Sequence, residues 1–125
     1  VEAATWTTFR KVFAASSGGR VMGWNVRVEQ SPPHRPRQRG GADWVFGHYE
    51  VVALDASQCP IEVHEGLLLD YGRGANPLLD PTRLVRDPIV ALLPGSIDLL
   101  LGYTYLRVLG RSISTPSWFL LEREP

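Results

Sequence analysis

The sequence predicts a mainly β domain, a small antiparallel meander closed into a barrel with a short N-terminal helix packed on it. Three observations lead there. The closing stretch from Ile97 to Arg123 reads as two long strands joined by a short polar turn, the second carrying Trp118, Phe119 and two leucines. A hairpin this apolar has to be buried on both faces or seal a barrel. The run RVMGWNVRVEQ alternates cleanly, with Met22, Trp24, Val26 and Val28 on one face and Asn25, Arg27 and Glu29 on the other. Finally, five or six strand-like runs follow one another with turns between them, which is the pattern of a meander. One helix cannot cover a flat sheet that is apolar on both faces, whereas curling hides the inner face and removes the edges.

The elements follow in order. Trp6, Phe9 and Phe13 recur at helical spacing beside Val12, with Thr5 as a cap and Gly18-Gly19 as a stop, so one short amphipathic helix is expected there. After the alternating strand, SPPHRPRQRGGA is rich in Pro, Gly and Arg and reads as a solvated hairpin loop. A grip on phosphate or on an acidic partner is its functional alternative, but no aromatic residues interleave with its arginines as a nucleic-acid groove would require. WVFGHYEVVALD is the next strand, apolar on both faces, with a bulge expected at Gly47. The turn at SQCP leads to IEVHEGLLLDYG, another strand. Asp80-Pro81-Thr82 resembles a helix start with Pro81 at its first position, Pro88 is expected to end that turn, and Pro94-Gly95 marks a turn before the final hairpin.

At 125 residues the chain is expected to form a single domain, residues 1–125, of ordinary globular composition. Thirteen basic and thirteen acidic side chains cancel, so no global field attracts nucleic acid or an anionic membrane, and neither partner is expected. Lys11 is the one lysine among many arginines, which reads as the genome composition of a GC-rich bacterium. Cys59 is the one cysteine, so no intrachain disulfide can form, and with nothing electropositive beside it an inert thiol is expected. No apolar run approaches the roughly 20 residues of a membrane span. The N-terminal VEAATWTTFRKVF lacks the basic-then-apolar order of a signal peptide and a starting Met, so it reads as trimmed. A cytoplasmic location is the default expectation, with secretion left open.

WFLLEREP at the end of the chain resembles the last strand of lipocalin-like domains, in which an arginine follows an aromatic-aliphatic strand. The resemblance implies a lipocalin-like barrel in which Arg123 stacks across Trp24 at the closed end. The family's early Gly-x-Trp is absent, because Gly23 directly precedes Trp24. The order LLLDYG, VRDPIVALL, LLLG and WFLLER is also similar to that of uncharacterised bacterial barrel domains, over about half the chain. The alternative architecture is a cystatin-like α+β cone, a sheet wrapped round a helix, which ordinarily has a longer first helix than this.

No nucleophile elbow, phosphate-binding glycine loop, dinucleotide fingerprint or His-Glu-x-x-His motif is present. If the second and third long strands pair, His48, Glu50, Glu62 and His64 are the candidate metal donors; Glu62 and His64 share a face, but such a face is also that of a solvated surface strand, and no metal centre and no cofactor are expected. Glu65 lies in phase with Ile61, Val63, Leu67, Leu69 and Tyr71; a carboxylate on that apolar face would have a raised pKa suited to acid–base work, unless a bulge at Gly66 turns it outward. Tyr103, Tyr105 and Arg107 share a face and could bind a carbonyl or carboxylate, or else line a wet surface. Asp70, Arg86 and Asp87 read as ion pairing that pins a long loop. Four Trp, four Tyr and four Phe are many for so short a chain, and an apolar cavity with a few polar groups is the usual form of a small-molecule site. The expected ligand set is Trp24, Trp44, Phe46, His48, Tyr71, Tyr103, Tyr105, Arg107 and Trp118. The sequence thus favours a binding module for a hydrophobic small molecule such as a lipid, polyketide or terpenoid. Two alternatives stay open. One is a cofactor-independent isomerase, cyclase or lyase with Glu65, His64 and Tyr105 as its catalytic groups. The other is an interaction domain that pairs as a homodimer.

Overall fold

In the computed structural model, which describes residues 8–63 and 65–125, the stretch expected to be helical is a strand. β1 spans Phe9–Ala15 and pairs along its whole length with β2, Val21–Arg27, from Phe9 opposite Arg27 to Ala15 opposite Val21. Phe9 and Phe13 are four residues apart, a spacing that satisfies both the helical period and the strand period of two. What decides between them is Lys11, which falls on their face only in a strand. Trp6 and Thr5, the rest of the helical pattern, lie outside the described residues.

The remaining strands are β3 Gln38–Arg39, β4 Ala42–Asp43, β5 Val45–Ala53, β6 Leu67–Asp70, β7 Val85–Ala91, β8 Leu99–Val108 and β9 Arg111–Glu122. Seven of the nine described strands form one sheet in the order β1-β2-β5-β6-β7-β8-β9, every neighbour antiparallel, so the expected meander is present. β3 and β4 form a two-stranded flap inside the basic loop, turned at Gly40-Gly41, both with positive φ. Short 3-10 turns start at Ala56, Tyr71 and Pro81, each capped by the preceding aspartate, whose carboxylate accepts the backbone N–H two residues on. Pro81 takes the first helical position as its sequence indicates, but Pro88 sits inside β7 opposite Leu68 instead of ending the turn. Its fixed φ is compatible with extended backbone.

The ladder does not close. Among the described residues no register joins β1 to β9, so a hydrogen-bonded barrel is not formed. Pro116 on β9 lacks the donor that a continuing ladder would use there. The two edges still meet through side chains, Phe9 against Phe119 at 6.0 Å between ring centres and Arg10 to Glu124 at 2.8 Å. The result is a curled sheet with a seam.

Leu68 and Leu69 are neighbours on one strand and therefore point to opposite faces, and each anchors a core. On the inner face Leu69 packs with Tyr49, Tyr71 and Ile89, against Val51, Val85, Leu100 and Phe119. On the outer face Leu68 packs with Tyr103 and Tyr105, under Val52, Leu54, Cys59 and Ile61. The segment between β5 and β6 folds over this second cluster, so both faces of the central strands are buried without full barrel closure. Two glycines make room for the inner aromatics. A Cβ on Gly23 would collide with the Val12 carbonyl and lie 2.5 Å from the Tyr49 ring, and one on Gly102 would enter the Phe119 ring.

The β8–β9 hairpin turns through Leu109-Gly110, both with positive φ (48° and 78°), the geometry that favours Asn-Gly. Leu109 is 99% exposed, so its side chain contributes nothing to the core. Leu109→Asn is expected to raise stability by about 1 kcal/mol, relieving an apolar residue of the left-handed conformation. An unchanged or lower denaturation midpoint would show that the turn is not of this type.

Candidate functional site

β1 carries Lys11 into the curl between Phe9 and Phe13. Its ammonium donates to Asn25 Oδ1 and to the Tyr71 hydroxyl, both at 2.7 Å, and lies 3.7 Å from Asp87 Oδ2. Tyr71 donates in turn to Asp87 Oδ2 at 3.0 Å, and Thr104 donates to Asp87 Oδ1 at 2.8 Å. Asn25 Nδ2 donates to the Gly47 carbonyl at 2.9 Å, which ties the group to the bulge in β5. Four rings surround the ammonium, those of Phe9, Tyr49, Tyr71 and Phe119, with centres 5.1–5.4 Å from Nζ. The Lys11 side chain is only 3% exposed and that of Asp87 5%. Six strands and the 3-10 turn that begins at Tyr71 contribute to this constellation, so only the folded sheet brings it together.

Burial governs its electrostatics. Removal from water lowers Lys11 from 10.5 to about 8, although the charge of Asp87 and its hydrogen bond resist. Burial likewise raises the Asp87 carboxyl, against the stabilising effects of Lys11, Thr104 and Tyr71. Burial thus works against the charged form of both partners, while their attraction for each other works for it. The Tyr49 and Tyr71 hydroxyls are pushed upward by burial and then by the charge of Asp87, so both stay protonated.

Beyond this polar group the inner face is apolar, filled first by Tyr49 and Leu69. Strand register places Ala15, Val21 and Val51 in one row and Ala53, Leu67 and Ile89 in another, all on the inner side. Phe13, Val21 and Leu67, at 43%, 36% and 48%, remain substantially exposed. The inner face therefore combines a half-exposed apolar mouth with a buried charged base.

Of the residues expected from sequence, Tyr71 alone belongs to this group. Tyr103 and Tyr105 are buried in the outer core, opposite to the expected side, and burial raises the Tyr105 hydroxyl to about 12. Arg107 donates to the Ser112 hydroxyl on the neighbouring strand. Trp118 stacks on Tyr103 at 4.6 Å on the outer face, and Trp24 sits 6.3 Å from His48. Arg123 pairs with Asp98 at 3.4 Å rather than crossing Trp24. Glu65 is exposed in the bend before β6, because that strand begins only at Leu67, and so it gains no apolar surroundings. His64 lies outside the described residues. Glu62 precedes the strand too, and among the described residues no cluster of three or more His, Cys, Asp or Glu side chains gathers as a metal site. Asp70 does pair with Arg86, at 3.2 Å, and with Arg73, at 3.4 Å, but Asp87 points to the opposite face and joins Lys11. Trp44 and Phe46 receive arginines instead of ligand surface. Arg27 stacks on both, and Arg37 and Arg39 lie over Trp44, so the basic loop makes aromatic contacts that its own composition does not show.

Two open surface depressions, of about 480 and 530 Å³, lie beside Glu29–Gln38 and beside Leu78–Arg86, and neither touches an expected ligand residue. Among the described residues no helix is long and apolar enough to cross a membrane. Lys11, Asn25, Asp87 and Thr104 are the site residues that sequence reading missed. The available signal was Lys11 itself, the one lysine of the chain, placed between two phenylalanines at strand spacing. No protein-family model, curated protein or solved structure matches the chain.

Proposed function

We propose that this chain binds a hydrophobic small molecule bearing a polar head, with its apolar body against Phe13, Val21 and Leu67 and its head directed toward Lys11 and Tyr71. On this reading the curled sheet serves as a barrel-like cup, with β1 and β9 as its lips. The observation that carries it is the coincidence, on one sheet face, of large apolar side chains left half in water and a buried ammonium–carboxylate pair beneath them. Small-molecule sites have this composition, an apolar wall with a few convergent polar groups.

A conjugated fatty acid whose emission rises in apolar surroundings is the suitable probe. Wild-type protein is expected to give a saturable one-to-one rise. Leu67→Asp, at a half-exposed position with modest structural cost, is expected to weaken uptake about tenfold or more, since burying a leucine-sized surface is worth ~1.5–3 kcal/mol. No rise up to the probe's solubility limit, or equal uptake by Leu67→Asp and Val21→Asp, would overturn the proposal. An enzymatic alternative on the same face would use Lys11 and Asp87, a desolvated pair that both hydrogen-bond the Tyr71 hydroxyl, whereas Glu65 is exposed and Tyr105 lies in the outer core.

A further inference from the structure

The geometry points to Lys11 as an imine-forming residue for hydrophobic aldehydes, a proposal that rests on the binding reading above and names the ligand class. Four features argue for it. An amine is a nucleophile only when unprotonated, and desolvation that depresses an ammonium's pKa is how proteins prepare Schiff-base lysines; Lys11 is brought down to about 8. A carboxyl group stands 3.7 Å from its nitrogen and can take and return the protons that the condensation moves. The Tyr71 hydroxyl, 2.7 Å from Nζ and 3.0 Å from Asp87, bridges the two. Finally, Nζ sits over the rings of Phe9 and Phe119, which face each other across the β1–β9 seam, where no ladder forms among the described residues. An aldehyde carbon whose chain lies along Phe13 meets the nitrogen between apolar walls.

The chemistry balances within this group. Lys11 gives one ammonium proton to the Asp87 carboxylate. The freed lone pair attacks the carbonyl carbon, forming the C–N bond as the C=O π pair moves onto oxygen. That oxygen takes the proton held by Asp87. A second proton leaves nitrogen through Asp87 to the hydroxyl, which departs as water while the nitrogen lone pair forms the C=N bond. The iminium then carries the charge the ammonium had, and the Asp87 carboxylate is restored as its counter-ion. No oxidant or reductant takes part.

Because the chain has one lysine, trapping is unusually direct. The folded protein is incubated with hexadecanal and sodium cyanoborohydride, then measured by intact mass and peptide mapping, with hexadecanol uptake measured in parallel. The expected result is a single adduct, equal to the aldehyde less one oxygen, on the Lys11 peptide. Excess hexadecanol should suppress it at least tenfold while leaving any N-terminal amine adduct unchanged. Lys11→Arg should give no side-chain adduct. Uptake of hexadecanol without Lys11 alkylation would overturn the imine and leave the binding reading standing. Alkylation of Lys11 only in urea, or without competition by the alcohol, would overturn it as well. Absence of hexadecanol uptake would remove both.

Discussion

Lys11→Met is expected to cost the fold about 3–5 kcal/mol, the range found when one partner of a buried ion pair is removed and the other is left uncompensated. Asp87 is the group left behind, with Tyr71 and Thr104 still donating to it but no cation within reach. For a domain whose total stability is on the order of 5–15 kcal/mol, that loss approaches the threshold of folding. The penalty belongs to the orphaned charge rather than to the missing lysine, so Lys11→Met combined with Asp87→Asn should recover a large part of it. It should also depend on pH in a defined direction. Burial raises the folded-state pKa of Asp87 even with Lys11 present, and removing Lys11 raises it further. A raised carboxyl pKa contributes stability at low pH that is lost as pH climbs through it. In the wild type, Lys11 titrates near 8 when folded and near 10.5 when unfolded. Between those values the unfolded chain holds more protons, and wild-type stability gains with rising pH. Both effects act in the same direction, so the gap between wild type and Lys11→Met should widen as pH rises, and in particular between about 8 and 10.5, where Lys11 titrates. Urea denaturation of the single and double variants across that range checks this. A gap that is flat, or that narrows, would mean that the two groups are not a buried pair.

The second large effect is expected at Gly23. Tyr49 is fully buried, and its ring lies across Gly23 so that its hydroxyl donates to the Val12 carbonyl at 2.8 Å. A methyl group at residue 23 would collide with that carbonyl and with the ring at once. Because one obstacle is backbone, the strain cannot be relieved by a single rotamer change. Gly23→Ala is therefore expected to cost about 3 kcal/mol, at the upper end of overpacking penalties. Adding Tyr49→Leu should return part of that cost, since the smaller side chain vacates the space. The displaced ring also forms one wall around Lys11, so Gly23→Ala should raise the Lys11 pKa toward its ordinary value. A Gly23→Ala protein with wild-type stability would show that β1, β2 and Tyr49 do not pack as described.

The parts of this fold legible in the sequence are those governed by local pattern. Strand alternation and turn residues were enough to give the antiparallel meander, the Asp80-Pro81 turn and the terminal hairpin. Period two sorts residues into two sets but does not say which set faces inward. In β2 the apolar set suggested the interior, yet Asn25 belongs to the inner group because Lys11 and the Gly47 carbonyl satisfy its amide. In β8 the same ambiguity put Tyr103 and Tyr105 inside, whereas Thr104 between them faces Asp87. The sign of each face was set by a tertiary event, the segment after β5 folding over Leu68 and Tyr105, and nothing local announces it. Lys11 was hidden for a related reason. A lysine is ordinarily taken as a marker of the solvated face, and the partners that make its burial tolerable lie 14, 60 and 76 residues further along the chain, at Asn25, Tyr71 and Asp87.

The most direct measurement of the whole account uses that same singularity. Selective isotope labelling of lysine gives one side-chain resonance, because Lys11 is the one lysine present. Its titration by NMR is predicted to have a midpoint near 8, with cross-relaxation to the ring protons of Tyr49 and Phe119. A midpoint above about 10, the value of a lysine in water, with no contact to either ring, would place Lys11 outside the curl and contradict the site, its ligand and its chemistry together.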